Sequence, residues 1–154
     1  MKRLLACAAM MALMSSTPST LAATAPALFS GTVATTCVLT VGTPGIIAAN
    51  AGFTKLSSDN AGGSESTVSA LSTGVGLKVS AIAPSAFTTG PATADTFVAK
   101  YSLTGATSAS SVAGATQTTL TAGVTGISVG LEADKSTGTF GAGVYTAAVT
   151  VRCE

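Results

Sequence analysis

The chain contains no histidine and no tryptophan, and only 8% of its 154 residues are charged. Without His, neither a Ser-His-Asp nor a Cys-His nucleophile system can be assembled. No lysine has a serine three positions before it, so the Ser-x-x-Lys alternative is missing too. Basic clusters are also lacking, which argues against nucleic acid and against an anionic membrane surface as partners. Apolar runs stay well below the roughly 20 residues that a membrane-spanning helix needs. Past the first 23 residues no segment carries helical periodicity, and no fixed-period repeat emerges from the Thr/Gly richness. These gaps lead us to expect no enzyme activity and no cofactor.

What the chain does have is 47% apolar residues, much of that share Ala and Val, with Thr, Ser and Gly dominating the rest. Thr and Val suit pleated, half-buried surfaces, whereas Gly and Ser mark turns. Residues 1–23 read as a secretory signal peptide. Lys2 and Arg3 form its basic start, residues 4–14 its apolar stretch, and small residues follow, with cleavage after Ala22 or Ala23. Cys7 sits too early for a lipoprotein cut to leave a usable apolar region, so it is lost with the leader. Cleavage takes seven basic residues to five against six acidic ones, a mature net charge near −1. Residues 24–154 then form one domain, expected to be soluble in the periplasm or at the cell surface, with no membrane insertion.

Two cysteines survive maturation, Cys37 and Cys153. An exported protein meets an oxidising compartment, where such a pair usually closes. Their positions fit this pairing. Tyr145, Ala147, Val149, Val151 and Cys153 share one parity, with Thr146, Ala148, Thr150 and Arg152 on the other. Alternate side chains of a strand point to opposite faces, so residues 141–154 read as a half-buried last strand. Val33, Thr35, Cys37, Leu39 and Val41 alternate in the same way within a first strand drawn over residues 29–41. A Cys37–Cys153 disulfide would join the two ends.

Between them, strands recur with turn punctuation. Pro44 and its flanking glycines stop the first strand, and residues 46–58 hold a short strand or a covered turn. Leu77, Val79 and Ala81 fix one strand, which Pro84 ends. Phe97, Ala99, Tyr101 and Leu103 face inward on another, the one richest in aromatic rings. Residues 108–116 read as a connector. Leu120, Ala122 and Val124 alternate on one parity and Ile127, Val129, Leu131 and Ala133 on the other, so a bulge or turn is expected near Gly126. Residues 134–138 read as a hairpin-type loop into the last strand. Many short strands with such punctuation indicate an all-β antiparallel sandwich.

Candidate chemistry is thin. Glu132 and Asp134 share a strand face and could form an acid/base couple or half a calcium site, but a solvated edge beside Lys135 is the simpler reading. Asp59 and Glu65 flank Gly62-Gly63, without the alternating Asp ligands of an EF-hand. Gly138, Gly141 and Gly143 have the wrong spacing for a nucleotide loop and precede no helix. No metal site is expected.

The leader, then Gly31-Thr-Val-Ala-Thr-Thr-Cys37-Val-Leu-Thr, then Gly143-Val-Tyr145-Thr-Ala-Ala-Val-Thr-Val resembles the bacterial secreted group of chaperone–usher fimbrial subunits and spore-coat-U-like proteins. The resemblance covers both ends of the chain. It implies an Ig-like sandwich and a structural or adhesive role at the cell surface, as a pilin-like subunit or matrix component. Partners would be other copies, related surface subunits and a periplasmic chaperone. Pilins of that group take a missing strand from a neighbour by strand addition. Their disulfide usually closes a short span, whereas Cys37 here has only Cys153, 116 residues away. Only about six residues separate the leader from Phe29. That difference motivates a second expectation, a self-contained secreted module that binds a glycan, a surface or ice.

Overall fold

Residues 24–154 are described by a computed structural model; the leader, its cleavage site and Cys7 lie outside the described residues. Two compact units are distinguished, Met1–Gly31 and Thr32–Glu154. Within the first, residues 24–31 carry no regular secondary structure and are exposed. The second holds ten strands and, among the described residues, no helix: β1 (Cys37–Val41), β2 (Ala48–Ala49), β3 (Lys55–Ser57), β4 (Ser66–Ser72), β5 (Lys78–Ile82), β6 (Thr96–Gly105), β7 (Ala109–Ala113), β8 (Thr118–Thr119), β9 (Gly123–Asp134) and β10 (Thr150–Cys153).

All pairings are antiparallel, and the strands form a seven-stranded and a three-stranded sheet. The long strand β9 organises the larger one. On one side β6 pairs with it along its length, and β7 follows β6. On the other side β4 pairs with its first half and β3 with its second, flanked in turn by β1 and β2. The smaller sheet runs β10-β5-β8.

Alternation decides which side chains meet. Ala99, Tyr101 and Leu103 of β6 are buried, as their parity requires, with Phe97 half-buried at the end of the row. They join Val68, Ala70, Ile127 and Val129 of the large sheet and Val79, Ala81 and Leu120 from the side of the small one in one apolar cluster. Small side chains dominate where the sheets approach: Ala70 and Val79 are fully buried. The Tyr101 hydroxyl lies 2.8 Å from the Thr116 carbonyl, 3.2 Å from that of Val79 and 2.7 Å from Thr118 Oγ1. It ties β6 to the small sheet by polar contacts inside the core. Tyr101→Phe should therefore cost about 1–2 kcal/mol, read as a denaturant midpoint shift without change of slope.

A second cluster gathers at one end, where Leu56, Ala133 and Phe140 are buried and Phe87, Phe97 and Tyr145 pack on them. Its rings meet edge-on, Phe87 with Phe97 at 4.9 Å and Phe140 with Tyr145 at 5.5 Å between centroids, an arrangement that matches ring quadrupoles.

Four sequence expectations are corrected. The first strand starts only at Cys37, and Val33 is 81% exposed outside it. Residues 108–116 contain β7 rather than a connector alone. Its small polar residues suit an outer strand, and positive φ at Ser111 accompanies a register shift against β6, which blurs the alternation. No bulge interrupts β9 near Gly126, where the pairing with β4 and β6 is continuous. Val124 simply points outward, level with Leu71 and Val38, and Thr125 takes the buried place. Finally, residues 134–138 do not turn a hairpin: β10 pairs with β5 in the other sheet.

Candidate functional site

The last strand shows why a periodic pattern and a paired strand are different things. From Tyr145 to Cys153, half-buried and exposed residues alternate on the parity expected. Yet only Thr150–Cys153 is in a ladder, and before it only Thr146 makes an isolated bridge, to Thr89. The apolar parity of this tail faces a groove instead of a neighbouring strand.

That groove encloses ≈ 630 Å³. One wall is Leu39 and Val41 of β1; the opposite wall is Val149 and Val151. Val68 and Leu131 of the large sheet form part of its floor. No charged side chain lines it. β1 pairs only with β4 and β10 only with β5, so both strands are open edges of their sheets, and Val149 extends the second wall just before the β10 ladder. Open strand edges expose unpaired N–H and C=O groups, and β1 has neither the lysine nor the proline that commonly shields such an edge.

The Cys37–Cys153 disulfide bridges the two walls, with Cα atoms 6.2 Å apart, inside the range a disulfide spans. It joins the first and last strands, as their parity indicated, and it does so between sheets. Val75, at 85% exposure, and Val41, at 78%, lie uncovered beside these elements.

The acidic candidates are held by lysines. Glu132 and Asp134 do lie on one face of β9, but their cation is Lys55 on β3, the register partner of Asp134, rather than the neighbouring Lys135. Lys55 Nζ pairs with Glu132 and lies 3.4 Å from Asp134. The Glu132 contact, reinforced by Asp134, holds the Lys55 ammonium above its ordinary pKa of 10.5. Asp59 pairs with Lys100, whose pKa is raised by that contact. Sequence reasoning missed both lysines because they come from strands distant in the chain. Among the described residues no group of three or more Cys, Asp or Glu is placed to hold a metal ion.

A lysine with a raised folded pKa stabilises the fold at every pH below its unfolded value, and that contribution is lost as pH rises through the folded one. Stability should thus fall above about pH 10.5. The pair is about a third exposed, so a Lys55–Glu132 double-mutant cycle should give at most about 1 kcal/mol, shrinking in salt. In acid a different group acts. Hydrogen bonds from the Ser136 side chain and backbone hold Asp95 below its ordinary value. Its contribution is present above the unfolded carboxylate pKa and lost as pH falls through the folded one. Asp95→Asn should flatten the acid limb of a stability profile by a small amount.

No helix of the described residues is long and apolar enough to cross a membrane. The chain matches no protein-family model, no curated protein and no solved structure.

Proposed function

We propose that this chain is a non-enzymatic, exported surface protein: a pilin-like structural or adhesive subunit on an Ig-like sandwich, which joins other copies by accepting an extended apolar segment. The observation that carries the reading is the uncharged groove between two open strand edges. A chain laid there could hydrogen-bond along β1 and bury alternate side chains on the floor, the mode of β-augmentation.

The donor that fits is the chain's own early segment, contributed by a neighbour. Leu28, Phe29 and Val33 are 93%, 96% and 81% exposed. Ala27, Phe29, Gly31 and Val33 share one parity, so an extended strand presents them on one side. Because β1 begins at Cys37, this free stretch is longer than the sequence reading allowed. Ten residues, 24–33, reach roughly 33 Å when extended. The sparse charge and the absent catalytic set agree with a structural role.

Size-exclusion chromatography and negative-stain microscopy of the mature protein test the reading. Assemblies should form, and both Val149→Arg and deletion of residues 24–33 should abolish them while leaving a folded monomer. A wild type that stays monomeric at high concentration, alone and with a periplasmic chaperone, would sink the proposal.

A second reading, a self-contained binding module, has one observation in its favour. On the outer face of the large sheet Thr40, Ser69, Gly126 and Thr104 lie level across four strands, and Thr67, Ser128 and Ser102 form the next row. Strand geometry spaces such rows about 4.8 Å one way and about 6.7 Å the other. Thermal hysteresis in the mature monomer would favour this reading over assembly.

A further inference from the structure

Among the rings of residues 32–154, Phe53 alone is exposed, at 57%. It is also, among the described residues, one of two non-glycine residues with positive φ, at 52°. A bulky side chain is disfavoured in that left-handed region, where Gly or Asn would be easier. The other, Ser111, has the register shift of β7 to account for it. For Phe53 neither the backbone nor packing explains the residue. Strain of this kind persists where surrounding structure enforces it, and it concentrates at functional sites.

The enforcement is visible. The Phe53 N–H donates to the Asn50 carbonyl at 3.0 Å, and the Phe53 carbonyl accepts from Phe140 N–H at 2.7 Å. Asn50 Oδ1 accepts from the N–H groups of Thr54 and Lys55. Lys135 N–H donates to the Thr54 carbonyl. The turn that carries Phe53 is thus tied to the loop after β9, and the two form the walls of a second concavity of ≈ 630 Å³. Phe53, Phe140 and Tyr145 contribute rings, Thr139 a hydroxyl, and Gly141 and Gly143 bare backbone. A Cβ on Gly141 would meet nothing within 4 Å, so the Cα face there is open to an approaching ligand, while the Gly141 carbonyl accepts from the Tyr145 hydroxyl at 2.9 Å. No charged side chain lines the site.

We infer that this pocket binds a neutral saccharide unit, with Phe53 as its stacking platform. A pyranose ring has one face of polarised C–H groups, which suits the negative face of an aromatic ring, and a rim of hydroxyls, which suits Thr139 and the glycine backbone. Anionic sugars find no cation in the lining. An acyl chain or apolar peptide would leave the polar rim of the pocket unpartnered. The site does not depend on assembly of the chain, although Tyr145 and Ile47 line both concavities.

The test is a ¹⁵N-correlation titration of the mature protein with methyl glycosides of glucose, galactose and mannose, with N-acetylglucosamine, and with N-acetylneuraminic acid and a short acyl glucoside as controls. At least one neutral sugar should shift the amides of Phe53 and of residues 140–144, with millimolar or tighter affinity. Phe53→Gly, which removes the ring and relieves the backbone, should weaken that binding at least tenfold while the melting temperature holds or rises. Phe53→Leu, which keeps a side chain but no ring, should also lose binding. The inference is overturned if no neutral sugar shifts these amides, if binding survives loss of the ring, or if the anionic sugar binds best. It is equally overturned if the acyl control shifts them through its tail, or if Phe53→Gly lowers the melting temperature by several degrees, since the ring would then be a packing residue.

Discussion

Replacing Cys37 or Cys153 by serine is expected to lower the stability of the oxidised protein by about 4 kcal/mol, one of the two largest effects of any single change. The bond closes a loop of 116 residues, nearly the whole of the second unit, so its loss releases an unusually large unfolded-state entropy. Against a total of about 5–15 kcal/mol this is a large fraction. The folded-state role points the same way. Cys37 and Cys153 sit on the outermost strands of different sheets, whose open edges face the groove, and both pack on the main apolar cluster. Without the bond, β10 is held by β5 alone and β1 by β4 alone. Thermal or denaturant unfolding of the single serine variants, beside the wild type with and without reductant, measures the effect. The two variants and the reduced wild type should agree within about 1 kcal/mol, because all three lose the same constraint. A shift below about 1 kcal/mol would mean that the bond adds no more to stability than a surface ion pair.

How far the sequence revealed this arrangement depended on which physical signal each element carries. β6 was legible because its inward row, Phe97, Ala99, Tyr101 and Leu103, contrasts with Lys100 and Ser102. The cysteine pair was legible because both residues fall on the apolar parity of end strands in a chain with no other cysteine past residue 23. β7 was hidden because its sequence, ASSVA, has almost no contrast between faces. Val124 misled for a related reason: an exposed apolar row of Val38, Leu71 and Val124 on the outer face imitates an inward one. The groove could not be foreseen at all. Alternation over residues 145–149 reports that one side is covered by apolar surroundings, and says nothing about whether a strand pairs there. Nor could Phe53 be singled out, since the strain that marks it is a backbone angle.

Gly114→Ala should rival the disulfide in its effect, at about 3 kcal/mol or more, although it adds a single methyl group. Gly114 is a buried residue just past β7 whose peptide groups link the sheets. Its N–H donates to the Ala99 carbonyl of β6 in the large sheet at 2.8 Å, and its own carbonyl accepts from Ala81 N–H of β5 in the small sheet, also at 2.8 Å. A Cβ there would fall 2.1 Å from the Ala81 oxygen and 2.8 Å from the Ala99 oxygen. Both obstacles are backbone, so no side-chain rotation can relieve them. Either the sheets separate locally, which exposes Ala81 and Ala99, or one of the linking hydrogen bonds breaks inside the core. The replacement gains a little from the lower chain entropy of alanine in the unfolded state, about 0.4–1 kcal/mol, and the steric term outweighs it. Gly138→Ala, where a Cβ would meet nothing but φ is +74°, provides the comparison. That change should cost only about 1–2 kcal/mol, from backbone strain alone. Hydrogen exchange separates the two. In Gly114→Ala the protection of the Ala81 amide should collapse together with that of β5, whereas in Gly138→Ala it should stay at the wild-type level once global stability is accounted for. If Gly114→Ala matches the wild type in both stability and Ala81 protection, the sheets are not linked through this residue.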